Sequence, residues 1–376
     1  MKKTLLAAAL IAGYAGAASA QNSVTLYGVI DLGFAYQSIK TANGDTRNQF
    51  AMAGGQTAGS RWGLRGVEDL GGGLRANFVY EQGITPNTGR LQGDQAGTSG
   101  FGRQSTVGLS SSSWGSVDLG RATTSSTWAL SGVDPFGSAY GTAQLNASFG
   151  TAFMRFSNMV RYVSPSFSGF SASGSYSFDT GLTNRKNGAD FTDGVGTFGT
   201  VNKFRALSTG VRYANGPLLL AGSFSAFYAP SAQGKAVKNW NIGGTYDFKV
   251  AKIAAAYGQN IDGIANGTAP LGNAAVSGGD TNTQGGVNFV NGGRTQQWMV
   301  GLTAPLGQGS AFASFQQKIP GGEFSSRATQ SVASVGYTYS LSQRTNVYAY
   351  YSYMNNALLT SGVKSQTLGV GVRHFF

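Results

Sequence analysis

The sequence predicts an all-β fold, a transmembrane antiparallel β-barrel of about sixteen strands with short turns at its periplasmic end and long loops at its extracellular end. Three observations predict it. Period-two alternation recurs along most of the chain, the connectors alternate between short and long, and strand after strand sets large apolar residues on one face against Arg, Asn, Gln, Ser and Gly on the other.

The chain opens on Lys2 and Lys3, continues through an apolar stretch over 5–18, and reaches the small-residue signature Ala18-Ser19-Ala20. This pattern predicts a cleaved secretory signal peptide over 1–20, leaving one barrel domain over 21–376. The apolar stretch falls short of the roughly 20 residues a helix needs to cross a bilayer, and no later segment approaches that length. Only 11% of residues are charged, where a soluble domain carries about 25%. With 58 Gly, 17 Tyr and 23 Phe against 8 Pro, the composition suits many turns and aromatic-rich strands. Cys is absent, which excludes disulfides and thiol chemistry in an exported chain.

Val24, Leu26, Gly28, Ile30, Leu32 and Phe34 share one face of the first strand, and Thr25, Tyr27, Val29, Asp31 and Gly33 share the other. The same period predicts strands over 61–69, 74–82, 103–111, 116–122, 158–163, 170–178, 205–213 and 218–227. It continues over 240–248, 253–259, 297–304, 311–318, 331–339, 347–353 and 366–376. The connectors 68–73, 111–115, 164–169, 215–217, 249–252, 305–309 and 341–344 are short. Between them lie long ones at 38–59, 83–102, 123–157, 179–204 and 260–295, with shorter members at 228–239, 319–329 and 354–365. That alternation, and an even strand number with both chain ends on one side, belong to outer-membrane barrels. A barrel of sixteen strands is wide enough to leave an aqueous channel.

A soluble β-sandwich would also alternate, but its outward face would be polar. Here the uniform face carries Trp62 and Leu64, Leu74, Phe78 and Tyr80, Val160 and Tyr162, Leu207, Val211 and Tyr213, and Leu368, Val370 and Val372. Apolar outside and polar inside is stable when lipid surrounds the barrel and water fills it, because closure satisfies every strand edge.

The residues offer little to catalysis. His374, the only His, shares parity with Leu368, Val370 and Val372, so neither a general base of the usual kind nor a His-based metal site is expected. Gly194, Gly196 and Gly199 match a dinucleotide fingerprint but sit in a polar loop with no helix pattern after them. Gly54 and Gly59 have P-loop spacing, yet Ser60 and Arg61 stand where Lys and Ser or Thr belong. Glu68 and Asp69 fall in a turn and read as solvated charges. No enzyme activity, cofactor or metal is expected.

The formal charge is +12, or +10 without the two leader lysines, with 16 Arg against only three Glu. Anions are the expected partners, and a secreted chain without a clustered basic stripe does not suit nucleic acid. A lipid-facing Arg at the midplane of such a barrel costs roughly 2–4 kcal/mol, whereas a lumen-facing one stays hydrated. Parity agrees, placing Arg61, Arg65, Arg75, Arg161, Arg212 and Arg373 on the face toward the pore. With acids so scarce, a net positive ring in a narrow aqueous pore favours anions. The segment 123–157 carries Trp128, Leu130, Val133, Phe136, Tyr140, Leu145, Phe149, Phe153 and Phe156, which a purely exposed loop would not need. Folding back into the lumen as the third loop would use them.

Several pieces, in order, resemble the general bacterial porin family of the β-proteobacterial type. Val24-Thr25-Leu26-Tyr27-Gly28-Val29-Ile30-Asp31 resembles its first strand, and Ser60-Arg61-Trp62-Gly63-Leu64-Arg65-Gly66 with Glu68-Asp69-Leu70-Gly71 resembles its second strand and turn. Arg103-Gln104 with Val107-Gly108-Leu109, followed by Leu119-Gly120-Arg121, resembles strands four and five. The resemblance implies a homotrimer of separate pores, each narrowed by the third loop, with arginines on the wall facing it. The matching positions are Arg61, Arg103 and Arg155, although simple alternation groups Arg103 with Val107 and Leu109. It implies a pore role for Asp134 within Asp134-Pro135-Phe136-Gly137, and a role for Phe376 as the terminal aromatic read by the outer-membrane assembly machinery, although Phe375 departs from the polar or basic residue that usually precedes it.

The expected function is a passive channel in the outer membrane for small hydrophilic solutes, anions preferentially, held in outer-membrane lipid. The alternatives are a substrate-specific channel for sugars or small organic acids, and a structural barrel with a closed lumen.

Overall fold

A computed structural model describes residues 23–92, 100–150, 154–180, 204–228, 235–265 and 287–376. The leader over 1–20 and the glycine match at 194–199 lie outside the described residues. The strands are β1 (Ser23–Lys40), β2 (Thr46–Gly54), β3 (Arg61–Gly71), β4 (Leu74–Thr85), β5 (Arg90–Gln92), β6 (Gln104–Ser111), β7 (Gly115–Thr123), β8 (Arg155–Val163) and β9 (Phe170–Ser177). They continue with β10 (Arg205–Asn215), β11 (Leu218–Tyr228), β12 (Val237–Asp247), β13 (Lys252–Ala265), β14 (Val287–Leu306), β15 (Gly309–Gly322), β16 (Gln330–Ser340), β17 (Thr345–Asn355) and β18 (Lys364–Phe375).

Sixteen of these form a closed antiparallel barrel, each pairing with its sequence neighbour and β18 returning to β1. The last residue completes the seam: the Gly28 and Phe376 amides each donate to the other's carbonyl, at 3.0 and 3.1 Å. Gly28 is required there, since a Cβ would collide with the Phe376 ring.

The sixteen expected strands are all present, and β2 and β5 are additions inside segments expected to be irregular. The reason is local. Residues 46–54 continue the period-two pattern beyond the barrel rim and zip onto β1, where Phe50 stacks on Phe34 with ring centroids 5.7 Å apart. The hairpin of β13 and β14 likewise runs past the expected limits, across an irregularity at Ile261/Gly263. At the opposite end the turns are tight. Gly71, Gly72 and Gly73 all hold positive φ of 86, 61 and 79°, a run that a chain with Cβ atoms would resist.

Register assigns the faces. Leu26, Leu64 and Tyr80 are cross-strand neighbours on the outside, as are Phe34, Val370 and Met52, and most are well exposed to the bilayer side. The inner face carries Asn239, Asn241, Asn260, Gln297, Gln316, Ser352 and Thr367, all nearly inaccessible. His374 lies opposite Ile30 on the outside, its ring nitrogen bonded to Thr345 Oγ1 at 2.9 Å.

Candidate functional site

The described parts of the connection from β7 to β8 turn into the barrel and pack on its inner wall. Thr124 caps a short helix, Ser125–Leu130, by accepting from the Thr127 amide. Serine hydroxyls then fasten the helix to β9, β10 and β11. Ser125 Oγ lies 2.7 Å from Ser173 Oγ, the Ser126 amide donates to Ser208 Oγ at 2.9 Å, and Ser126 Oγ donates to Ser223 Oγ at 3.0 Å. Arg212 closes the join, donating to Ala129 O at 2.9 Å and Ser131 Oγ at 2.7 Å while lying over the Trp128 ring.

Beyond the helix the loop crosses the wall on apolar contacts. Leu130, Val133, Leu145 and Phe149 meet Ala221, Ala254, Ala256 and Met299, and Phe136 and Tyr140 meet Phe312, Tyr348 and Tyr350. Small wall residues admit it: a Cβ on Gly243 would stand 3.0 Å from Val133, and one on Gly301 would collide with Pro135. The first connection joins in from the side. Asp31 accepts from the Thr57 amide and hydroxyl, the Ala58 amide and the Tyr348 hydroxyl, and Gln56 O accepts from the Tyr140 amide at 2.5 Å.

Asp134 works inside this loop. Its oxygens accept from the Phe136, Ser138 and Leu145 amides at 2.9, 3.0 and 2.9 Å, so the carboxylate ties a turn together and is buried. Burial pushes its carboxyl up to about 6, against the three amides, which pull the other way.

A second group of residues gathers on the neighbouring strands. Arg61 on β3 lies on the inner face, opposite Val29 and Gly83. Its Nε is 3.1 Å from Glu81 Oε2, and Arg103 Nε is 2.7 Å from Glu81 Oε1. Arg103 reaches the inner face because β6 begins only at Gln104, after a positive φ at Phe101, so strand alternation does not apply to it. Gly59 leaves room for its guanidinium. Arg155 opens β8 opposite Thr123, just past an irregularity at Gly120/Ala122, within electrostatic reach of the same Glu81. Tyr27 donates to Glu81 Oε2 at 3.2 Å, and Arg65 is exposed with its guanidinium over the Tyr27 ring.

The other expected arginines separate from this group. Arg75 stands exposed near a short turn, opposite Asp69. Arg161 is paired with Asp118 at 2.9 Å and also donates to Thr123. Arg373 faces inward opposite Asp31. Sequence reasoning missed Glu81 as the shared partner and Asp31 as the anchor of the first connection. The signal for both was present, since each has inward parity in a predicted strand.

A sealed barrel, greasy outside, polar inside and partly filled by its own loop, defines a transmembrane channel protein of the outer membrane. The comparisons with known proteins agree. The chain matches the family described as Gram-negative porin over residues 6–375, and it belongs to that family. It is 44% identical to an outer membrane porin protein of Bordetella pertussis and 33% identical to outer membrane porin protein 32 of Delftia acidovorans, in both cases over 100% of each chain. Among solved structures it resembles the anion-selective porin from Comamonas acidovorans, with a TM-score of 0.70, 26% identity, and coverage of 95% of this chain and 100% of that one.

Proposed function

We propose that the barrel is a passive diffusion channel for small hydrophilic solutes that prefers anions, with Arg61, Arg103 and Arg155 setting the preference opposite the third loop and Arg65, Arg75 and Arg161 extending the basic wall. One observation carries the reading: Arg61, Arg103 and Arg155 gather about Glu81, which brings three cations together on one stretch of the inner wall. Charge of one sign beside a narrow aqueous path concentrates counter-ions. Arg61 is the accessible member and Arg103 the buried one, so Arg61 meets solutes while Arg103 holds Glu81 in place. Asp134 organises the facing loop. The anion-selective porin among the similar structures supports the same sign.

In this reading the protein works as a homotrimer of independent pores, and Phe376 at the barrel seam is the assembly signal. The test is planar-bilayer recording in a salt gradient. Conductance is expected in multiples of three, with a reversal potential of anionic sign that shrinks when Arg61, Arg103 and Arg155 are replaced by Gln. Cation preference in the unmodified protein would overturn the arginine reading and leave the fold untouched.

A further inference from the structure

Away from the arginine cluster, the inner wall holds a further cation with different surroundings. Lys318 points inward from β15, is 4% exposed, and has no carboxylate partner among the described residues. Its register neighbours are Gln297 on β14 and Gln330 on β16.

Gln297 ends a directed chain of side-chain amides. Asn241 Nδ2 donates to Asn239 Oδ1 at 2.6 Å, Asn239 Nδ2 to Asn260 Oδ1 at 3.0 Å, and Asn260 Nδ2 to Thr295 Oγ1 at 2.9 Å and Gln297 Oε1 at 3.3 Å. Each link polarises the next, and the chain finishes on Gln297 Nε2, a buried donor without an acceptor beside Lys318.

The third loop supplies the cover. Gln330 Nε2 donates to Ala147 O over β16, and Phe149 packs on Met299 of β14. Ser148, between them, therefore crosses over β15, and its buried hydroxyl is unpartnered. Gln316 Oε1, two residues from Lys318, and Asn146 Oδ1, two from Ser148, are unpartnered acceptors, but neither carries a formal charge. Lys318, Gln297 and Ser148 thus bring a cation and two unpartnered donors to one stretch of the inner wall, where a cation is costly unless a negative charge joins it.

We infer that Lys318, Gln297 Nε2 and Ser148 Oγ form a binding site for one small monovalent anion between the wall and the third loop. The single ammonium sets the charge at one, and the neutral donors complete its coordination. Such an anion binds the folded state alone and so locks the loop to β14–β16. The site is independent of which ions the channel prefers, so bilayer selectivity neither supports nor harms it.

The probe is bromide, with the full chain in detergent. Crystals of the unmodified protein grown in bromide are expected to show an anomalous peak at Lys318. In solution, at ionic strength held constant with a bulky anion, bromide is expected to raise Tm by roughly 2–4 °C. Lys318→Met is expected to lose both effects. Gln297→Glu places a carboxylate in the site from within, and is expected to melt above the unmodified protein without bromide and to ignore added bromide. No anomalous peak, an equal bromide response in Lys318→Met, or a lowered bromide-free Tm in Gln297→Glu would overturn the inference. Should Lys318→Met not fold, the peak and the Gln297→Glu comparison decide.

Discussion

The third loop's contact with β9–β17 and the arginine face on β3–β8 share one lumen yet rest on opposite physics. The first joins neutral hydroxyls, rings and aliphatic groups and leaves them nearly inaccessible. The second gathers arginines about Glu81 and leaves Arg61 part-exposed and Arg65 exposed. Packing holds the loop against the wall, and in the proposed reading charge acts on whatever passes. Loop stability and ion preference should therefore separate under mutation.

The largest expected effect lies in the packed half. Phe136 is fully buried against Tyr140 and Phe312, with ring centroids 5.6 and 4.9 Å away. Phe136→Ala should cost roughly 3–5 kcal/mol, read as a lowered Tm with a larger single-channel conductance and an unchanged reversal potential. A shifted reversal potential would show that the two halves are not separable.

Next comes pH. The Asp134 carboxyl is raised from 3.8 to about 6 in the folded loop, so its stabilising effect is fully present below pH 4 and is lost as pH rises through 6. The full window is on the order of 3 kcal/mol. Melting curves across this range should show Tm falling with pH relative to Asp134→Asn; parallel profiles for the two proteins would refute it.

Glu81→Gln probes the charged half. Removing the shared carboxylate raises the net charge of the cluster by one, and should increase anion over cation permeability several-fold, about 1 kcal/mol in relative terms, as measured by reversal potential. No change would mean that the cluster does not face the permeation path.

The smallest effect is expected from salt. Screening shortens from about 10 Å at 0.1 M to about 3 Å at 1 M, so anion preference should decline gradually over that range while Tm stays level. Selectivity that ignored salt would point to steric selection.

Much of this was legible in the residues. Alternation from Val24 to Phe34 and its repeats located the barrel strands, and the poverty of long apolar segments left lipid-facing strands as the way across the membrane. The inward placement of Arg61, Arg65, Arg75, Arg161, Arg212 and Arg373 followed from parity, and register agrees for each. The excess of Phe, Tyr and Trp in 123–157 announced a loop that needed a wall to pack on. Hidden from the sequence were contacts between residues far apart in it: Arg61 and Arg103 on Glu81, Tyr348 on Asp31, Tyr140 on Gln56. Arg103 defeated the period rule because it stands just outside its strand.

The sequence by itself determined the strand pattern, the two faces and the sign of the charge, because those depend on a two-residue period and on composition, which are local. Tertiary structure alone decided which arginines share an acid, that Asp134 turns into its own loop, and that Lys318 pairs in register with Gln297, the end of an amide chain. Those outcomes depend on barrel closure and on the path of the third loop across β14–β16, which bring together side chains whose separation along the chain carries no signal of their meeting.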